Sequence, residues 1–341
     1  MAKTNTYYYD QLNKEQQRAY YAIKEGLLNL KESFAVPLLS QRELSDIYFM
    51  VRMDCPEIFY SVTFKYSFYA DSSSVEMTPQ YFFPKNKILE HRQAMESRVK
   101  KLASQAADMD EKGKELFLHD FIINNVKYDK LKKEYSHEII GALGNGVAVC
   151  EGMAKAVKIL CDAWNIWCII AVSEANPEKG IKYRHAWNVI RIGGQYYHLD
   201  VTFDNTLSKD GTMRYDYVNL SDKQIFRDHE PVIWKVPACS DNDHFYYKEK
   251  KISWTTMDEV QNRAKQAVKK GKILLFHWRG GYLTREILGE LLQIFDKEAR
   301  AKEKRAYTSV NWAQAVLRVR FEDGVGEEQI EMEEANEGEK E

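Results

Sequence analysis

Cysteine is sparse in this sequence, with five residues in 341 and no Cys-x-x-Cys pair. An odd, scattered set of this kind argues against a disulfide framework and against a zinc site. A charge excess is also missing, because 49 basic residues face 51 acidic ones and the formal net charge is −2. Without a basic excess, neither nucleic acid nor an anionic membrane surface is expected as the main partner.

Long apolar runs are missing as well, since no stretch of 18 apolar residues occurs. The N-terminal "MAKTNTYYYDQLNKEQQRAYYAIKEG" is too polar for a signal peptide, so we expect a soluble, cytoplasmic protein unless a signal has been removed. There is no internal repeat and no acidic loop that resembles a calcium site. No cofactor and no metal ion is therefore expected.

The composition is that of a chain with a large core, at 44% hydrophobic and 13% aromatic residues, and its length alone suggests two domains. We expect an N-terminal α/β extension over 1–85 and a central core over 86–248. A small C-terminal α/β appendage over 249–321 and an acidic tail over 322–341 follow. The tail is rich in Glu and Gly, which predicts disorder.

Hydrophobic periodicity predicts the elements of this α+β chain. In the first half these are helices within 7–31 and at 41–54, a hairpin of 54–70 with 74–83, helical segments across 86–126, and a glycine-punctuated loop at 139–149. In the second half they are a buried strand at 166–174, a helix at 256–270, a buried strand at 272–278, a helix at 284–304, and one final strand at 308–321.

The stretch "NGVAVCEGMAKAVKILCDAW", residues 145–164, places Cys150 where a loop becomes a helix. At a helix N-terminus, backbone N–H groups and the helix dipole stabilise a thiolate, which is the form that attacks carbonyl carbon. The competing interpretation is a small buried thiol. Cys161 and Cys168 lie on apolar runs and are assigned to the core, whereas Cys55 and Cys239 show no partner pattern.

The runs "HAWNVIRI" and "QYYHLDVTF" flank Gly193-Gly194, and this pair suits a two-residue hairpin turn. Counting outward from such a turn puts Trp187 opposite Asp200. His185 shares a face with Trp187 because side chains alternate along a strand. His185 and Asp200 become diagonal neighbours with backbones about 7–8 Å apart, a distance that their side chains can bridge.

Cys150, His185 and Asp200 together offer a nucleophile, a general base and a group that orients the base. His198 is also near Asp200 in sequence, but it lies closer to the turn than His185 does. Asp204 is an alternative orienting carboxylate, although it lies beyond the paired part of the hairpin.

These motifs resemble the transglutaminase-like core in its bacterial branch. The similarity rests on "GVAVCEGMAKAVKIL", on "RHAWNVIRIGGQYYHLDVTFDN" and on the upstream "LHDFIINNVKYD", and it covers about 115–206. Cys150, His185 and Asp200 fall on the family's nucleophile, histidine and aspartate in the same order. Phe203 stands where many members have Trp.

The resemblance implies a papain-like fold, in which the nucleophile helix packs on an antiparallel sheet. It also implies a cysteine enzyme that acts on protein or peptide amides through a thioester acyl-enzyme, by transamidation, deamidation or proteolysis. One candidate donor to the oxyanion is the backbone N–H of Cys150, and another is a group from the 139–149 loop or near Tyr128. The alternative is a non-catalytic protein-interaction module on the same fold, linked to cell division or the cell envelope, and the C-terminal appendage and acidic tail would suit such a role. The flanks, including "DCPEIFY", resemble bacterial proteins likened to cytokinesis proteins.

Overall fold

The computed structural model describes residues 6–68, 72–208, 211–324 and 329–333. The chain divides into two compact units. The first comprises 1–196, 200–202 and 231–237, and the second comprises 197–199, 203–230 and 238–341. Both mix helices with sheets, so the α+β class predicted from the sequence is confirmed. The four-part division drawn from composition stays a prediction.

The first unit opens with two capped helices, α1 (Lys14–Leu28) and α2 (Gln41–Asp54). Each begins with a capping box, formed by Asn13 with Gln16 in α1 and by Ser40 with Glu43 in α2. Such reciprocal bonds satisfy amide groups that the first helical turn leaves open. Both helices lie where periodicity predicts them.

A three-stranded antiparallel sheet follows, in the order β1-β3-β2. Its strands are β1 (Phe34–Pro37), β2 (Ser61–Phe68) and β3 (Ser74–Tyr81). The β2–β3 hairpin confirms the prediction from "SVTFKYSF" and "SVEMTPQY". The sequence does not predict β1, because four residues are too few to show an alternation of apolar and polar side chains.

The helical stretch predicted across 86–126 is two helices, α3 (Lys85–Gln105) and α4 (Glu111–Asn125). Asp110 caps α4 by accepting a hydrogen bond from Gly113 N at 2.7 Å. Two short strands follow, β4 (Lys127–Tyr128) and β5 (Val147–Ala148), and they pair in parallel. Part of the predicted loop at 139–149 is instead a π-helical turn over Ile140–Asn145.

The remaining elements around the candidate site are α5 (Cys150–Ala163), β6 (Cys168–Ser173), β7 (His185–Ile192), β8 (Gln195–Leu199) and α6 (Val201–Leu207). β6 pairs with β7 in antiparallel fashion, with Ser173 opposite His185. Gly193 and Gly194, which separate β7 from β8, have φ values of 57° and 87°. Two positive φ values define the turn predicted from the Gly-Gly pair.

The second unit is built on a five-stranded sheet in the order β10-β11-β13-β12-β14. Its elements are β9 (Val218–Leu220), α7 (Asp222–Ile225), α8 (Tyr246–Glu249), β10 (Ser253–Trp254), α9 (Met257–Lys270), β11 (Leu274–Trp278), α10 (Arg285–Arg300), β12 (Lys304–Asn311), β13 (Val316–Asp323) and β14 (Gln329–Glu333). Apolar side chains of α9 and α10 form one core with the sheet, centred on Phe276, Leu291 and Phe295.

Two predictions for the C-terminal region are wrong in part. The single strand predicted at 308–321 is the antiparallel pair β12–β13, which turns at 312–315 with Ala315 at a φ of 52°. The turn contains no Gly or Pro, so the sequence does not predict it. Of the acidic segment predicted to be disordered, 322–323 end β13 and 329–333 form β14. Residues 325–328 and 334–341 lie outside the described part of the chain.

Among the described residues, no helix is both long enough and apolar enough to cross a bilayer.

Candidate functional site

Cys150 is the first residue of α5, as the sequence predicts. Its side chain is mostly covered, with the residue 6% exposed. The preceding Val149 has extended backbone and offers no side-chain cap to the helix. Cys150 thus lies at the N-terminus of a 14-residue helix, where the helix dipole favours an anion.

Gly152 explains why the motif reads Cys-Glu-Gly. A Cβ at this position would stand 2.2 Å from the carbonyl oxygen of Ser136, well inside van der Waals contact. The same carbonyl accepts a hydrogen bond from Val149 N at 3.0 Å. The 136 backbone thus lies directly against the start of α5, and only glycine admits this approach.

Asp129 shapes the segment that delivers Ser136 to the helix. Its carboxylate accepts hydrogen bonds from the Ser136 hydroxyl and, at 3.0 Å each, from the backbone N–H groups of Leu131 and Lys133. These donors lower the pKa of Asp129 despite the opposing effect of burial. The turn before the nucleophile position is therefore fixed by one ionised side chain.

His185 and Asp200 form the pair that the hairpin count predicts, with Nε2 and Oδ2 2.6 Å apart. Both residues are buried. The other carboxylate oxygen of Asp200 accepts a hydrogen bond from Thr202 N at 2.8 Å. Trp187 stacks on the imidazole, with ring centroids 5.6 Å apart and planes inclined by 17°. The imidazole is thus held on one edge and on one face.

Two contacts join α5 to the segments that carry this pair. Asn188 on β7 donates from Nδ2 to the carbonyl oxygen of Ala154 at 3.0 Å. The Thr202 hydroxyl lies 3.6 Å from Sδ of Met153. Met153 and Ala154 are about one helical turn beyond Cys150. The first turns of α5 therefore pack on the segments that bear His185 and Asp200.

A buried ionic network surrounds the residue after the cysteine. One carboxylate oxygen of Glu151 accepts from Arg52 Nη2 at 3.1 Å and from Lys155 Nζ at 2.8 Å, and the other lies 3.1 Å from His137 Nδ1. Glu138 accepts from both cations, at 2.8 Å from Lys155. Burial alone would raise the pKa of Glu151, but Lys155, Arg52 and His137 hold it well below its ordinary value.

The sequence does not predict this network. Its partners come from α2, from the segment before the π-helical turn, and from α5, so no local pattern connects them. The one local signal is the spacing of Glu151 and Lys155, which are four residues apart and share a helix face. Because Arg52, Glu138 and Lys155 are all buried, the network fixes the start of α5 to α2.

The other residues considered at the sequence level have separate partners. Nε2 of His198 lies 2.8 Å from Oδ1 of Asp222, whereas the imidazole that contacts Asp200 is that of His185. Asp204 accepts from Asp216 N at 2.7 Å and from Tyr217 N at 3.2 Å. Cys161 and Cys168 are fully buried, in agreement with their assignment to the core. Burial raises the pKa of the Cys161 thiol well above its ordinary value.

One group in the second unit has the donor set of a metal site. Ligand atoms of His198, Asp222 and Cys239 lie within 4.8 Å of one another. Asp222 also accepts from Cys239 N at 3.1 Å, and its N–H donates to the carbonyl oxygen of Cys239 at 2.8 Å. These hydrogen bonds hold Asp222 against the backbone of Cys239.

The first unit thus defines an α+β protein with a cysteine at a helix start and a buried His–Asp pair on the neighbouring segments. Residues 99–201 match the sequence profile of the transglutaminase-like superfamily, so the chain contains a domain of that superfamily. A comparison with curated proteins gives no match.

Solved structures similar to the chain include a transglutaminase ("TGase"), at 9% identity and a TM-score of 0.28, with 50% of each chain covered. A candidate cysteine protease from Cytophaga hutchinsonii matches at 15% identity and a TM-score of 0.25, over 41% of this chain and 62% of its own. A candidate protease from Parabacteroides distasonis ATCC 8503 has the same identity and TM-score, over 41% and 36%. In each case the match spans less than two thirds of the solved chain.

Proposed function

We propose that the protein is a cysteine acyltransferase or amidase that attacks protein or peptide amides through Cys150, His185 and Asp200. The observation that carries the proposal is the buried His185–Asp200 pair, 2.6 Å apart, on segments that pack against the helix beginning at Cys150. A carboxylate against one imidazole nitrogen raises the basicity of the other and fixes the ring. The match of 99–201 to the transglutaminase-like superfamily supports the same roles.

In the first step the Cys150 thiol gives its proton to His185. Since Nε2 of His185 faces Asp200, the proton passes to Nδ1. The thiolate forms a bond to the amide carbonyl carbon, and the carbonyl oxygen takes up the electron pair. When the C–N bond breaks, the leaving amine takes the proton from the imidazolium, and a thioester to Cys150 remains.

In the second step an amine or water attacks the thioester and gives its proton to His185. The S–C bond breaks, the thiolate is regenerated, and the product is a new amide or a carboxylic acid. An amine acceptor gives transamidation, whereas water gives deamidation or proteolysis.

The oxyanion of each tetrahedral intermediate needs donors at the start of α5. The backbone N–H of Cys150 is one, since it belongs to the first residue of α5, at the end of the helix where the dipole favours negative charge. We assign the second to the Tyr128 hydroxyl. The pairing of β4 with β5 puts Tyr128 opposite Ala148, two residues before Cys150.

The proposal is tested with iodoacetamide at mildly acidic pH and mass-spectrometric mapping of the labelled cysteine. Selective labelling of Cys150, slowed in His185→Ala, is the expected result because only a stabilised thiolate reacts quickly under acid conditions. The buried Cys161 and Cys168 serve as internal controls. Labelling of Cys150 no faster than that of a free thiol would refute the enzymatic proposal and favour an interaction module on the same fold.

A separate experiment tests whether an amine or water accepts the acyl group from Cys150. A glutamine-containing protein is incubated with a fluorescent primary amine, and amine incorporation is compared with ammonia release. Incorporation that depends on Cys150 identifies a transferase, and ammonia release alone identifies a deamidase. Cleavage of the protein chain identifies a peptidase.

A further inference from the structure

A pocket of about 710 Å³ lies at one end of the five-stranded sheet of the second unit. It forms where β11 ends and where β12 turns into β13, because Val316 is the register partner of both His277 and Asn311. Residues around α7 complete the wall. All of its lining residues belong to the second unit.

The lysine and arginine side chains that line the pocket give it a positive charge. Its lining includes Lys223, Arg227, Lys248 and Arg279, and no carboxylate. Arg227 donates to the backbone oxygen of Ala313 at 3.0 Å, and Lys248 donates to the Asn242 side chain, so neither bond neutralises a charge. In a chain with a net charge of −2, four cations gathered around one cavity are a local exception.

His277 also lines the pocket, and its pKa responds to these positive charges. Its pKa is lowered to about 4, first by burial and then by Arg227 and Arg279. Lys248 acts in the same direction, and the buried Asp216 opposes them. The imidazole thus stays neutral at physiological pH, and the positive potential is left to the lysine and arginine side chains.

An unpaired donor and exposed rings complete the site. Trp278 is 3% exposed, and its buried indole N–H has no hydrogen-bond partner among the described residues. A buried donor without an acceptor costs free energy, so a bound acceptor would be stabilised there. Two further lining rings, Tyr282 and Trp312, are 85% and 38% exposed. Large rings open to solvent at a cavity mouth offer stacking surfaces.

We propose that this pocket binds a small phosphorylated ligand that carries a planar ring. Phosphate groups supply about two negative charges and three acceptor oxygens each, more than a single carboxylate, and the planar fork of arginine binds them in bidentate fashion. The ring would stack on Trp312 or Tyr282, and a ligand oxygen or ring nitrogen would accept from the Trp278 indole. Nothing in this binding site depends on the reaction proposed at Cys150.

The experiment is isothermal titration calorimetry of the full chain with ADP, with pyrophosphate and with triglutamate. We expect saturable one-to-one binding of ADP and pyrophosphate that weakens as NaCl is raised. ADP should bind more tightly than pyrophosphate because its ring adds stacking. Triglutamate that binds as tightly as ADP would overturn the assignment to phosphate.

Matched variants locate the binding. Arg279→Gln and Arg227→Gln should each weaken ADP binding by about tenfold, the equivalent of one charge-assisted hydrogen bond. Lys265→Gln removes the same charge from the exposed surface of α9 and should leave binding unchanged. Trp278→Phe keeps an aromatic ring and removes only the unpaired N–H, so it should weaken ADP binding several-fold while the protein stays folded.

Two further results would refute the proposal. One is the absence of saturable binding of both ADP and pyrophosphate to the full chain. The other is binding that Arg279→Gln, Arg227→Gln and Trp278→Phe all leave unchanged while their thermal unfolding matches that of the original protein.

Discussion

The carbonyl oxygen of Ser136 occupies the space that a side chain at Gly152 would need, at 2.2 Å from the position of its Cβ. The atom in the way is backbone, so it cannot rotate aside as a flexible side chain could.

Gly152→Ala is therefore expected to destabilise the first unit by about 3 kcal/mol, at the upper end of the cost of inserting one methyl group into a packed interior. Urea denaturation followed by circular dichroism measures the loss. The control is Gly289→Ala in α10, where an added Cβ meets nothing within 4 Å. That substitution should stabilise by up to about 1 kcal/mol through helix propensity. Equal effects of the two would contradict the close approach at Ser136.

Asp200→Asn is expected to keep the fold and to slow Cys150 alkylation under acid conditions. An amide cannot stabilise the imidazolium as a carboxylate does, so the pH midpoint of alkylation should rise toward that of an ordinary thiol, near 8.5. Acyl-enzyme formation should fall by about 10²-fold or more.

Asp204→Asn is the matched control for Asp200→Asn, because Asp204 accepts from backbone amides of 216 and 217. It should lower stability without moving the pH midpoint of alkylation. A shift in Asp204→Asn, and none in Asp200→Asn, would reassign the orienting carboxylate.

Tyr128→Phe separates oxyanion stabilisation from thiolate formation. Alkylation by iodoacetamide creates no oxyanion, so its rate should be unchanged. Acyl transfer from an amide does create one, and kcat should fall by about 10²-fold if the hydroxyl is the second donor. Equal losses in both assays would show that Tyr128 acts on Cys150 itself or on the fold.

Glu151→Gln tests the buried network through its pH dependence. The folded-state pKa of Glu151 lies below its ordinary value of 4.5, so the carboxylate stabilises the fold above that pH. The contribution disappears as the pH falls through the folded-state value. We expect a loss of about 3 kcal/mol at pH 7, and a smaller difference from the original protein at pH 4 and below.

Glu90→Gln is the control for this comparison, since Glu90 pairs with Lys87 at 2.7 Å on an exposed surface. A surface pair of this kind contributes at most about 1 kcal/mol. A pH-independent loss in Glu151→Gln would contradict the role assigned to its ionised form.

Local patterns predict the parts of the site that lie close together in sequence. The amphipathic run after Cys150 fixes α5, and Gly193-Gly194 fixes the turn that relates His185 to Asp200. The capping boxes at the starts of α1 and α2 are likewise visible as short motifs. Each of these features depends on contacts within about 15 residues along the chain.

Contacts between distant segments could not be predicted in this way. Arg52 and Glu151 are separated by 99 positions, so only the folded chain brings them together. Lys155 looks like an exposed residue of an amphipathic helix but is fully buried. The close approach of the Ser136 carbonyl to Gly152 is marked in the sequence only by the glycine. A glycine can be required for several structural reasons, so it does not identify this one.

The position of β14 has a consequence for self-association. β12 is paired on both sides, with β13 on one and β14 on the other. Without β14, the eight residues of β12 would present an open row of amide and carbonyl groups, which is a template for pairing with a second copy. β14 instead pairs with Tyr307–Asn311 of β12 and satisfies that part of the row. This pairing keeps that part of β12 from serving as a template for a second copy of the chain.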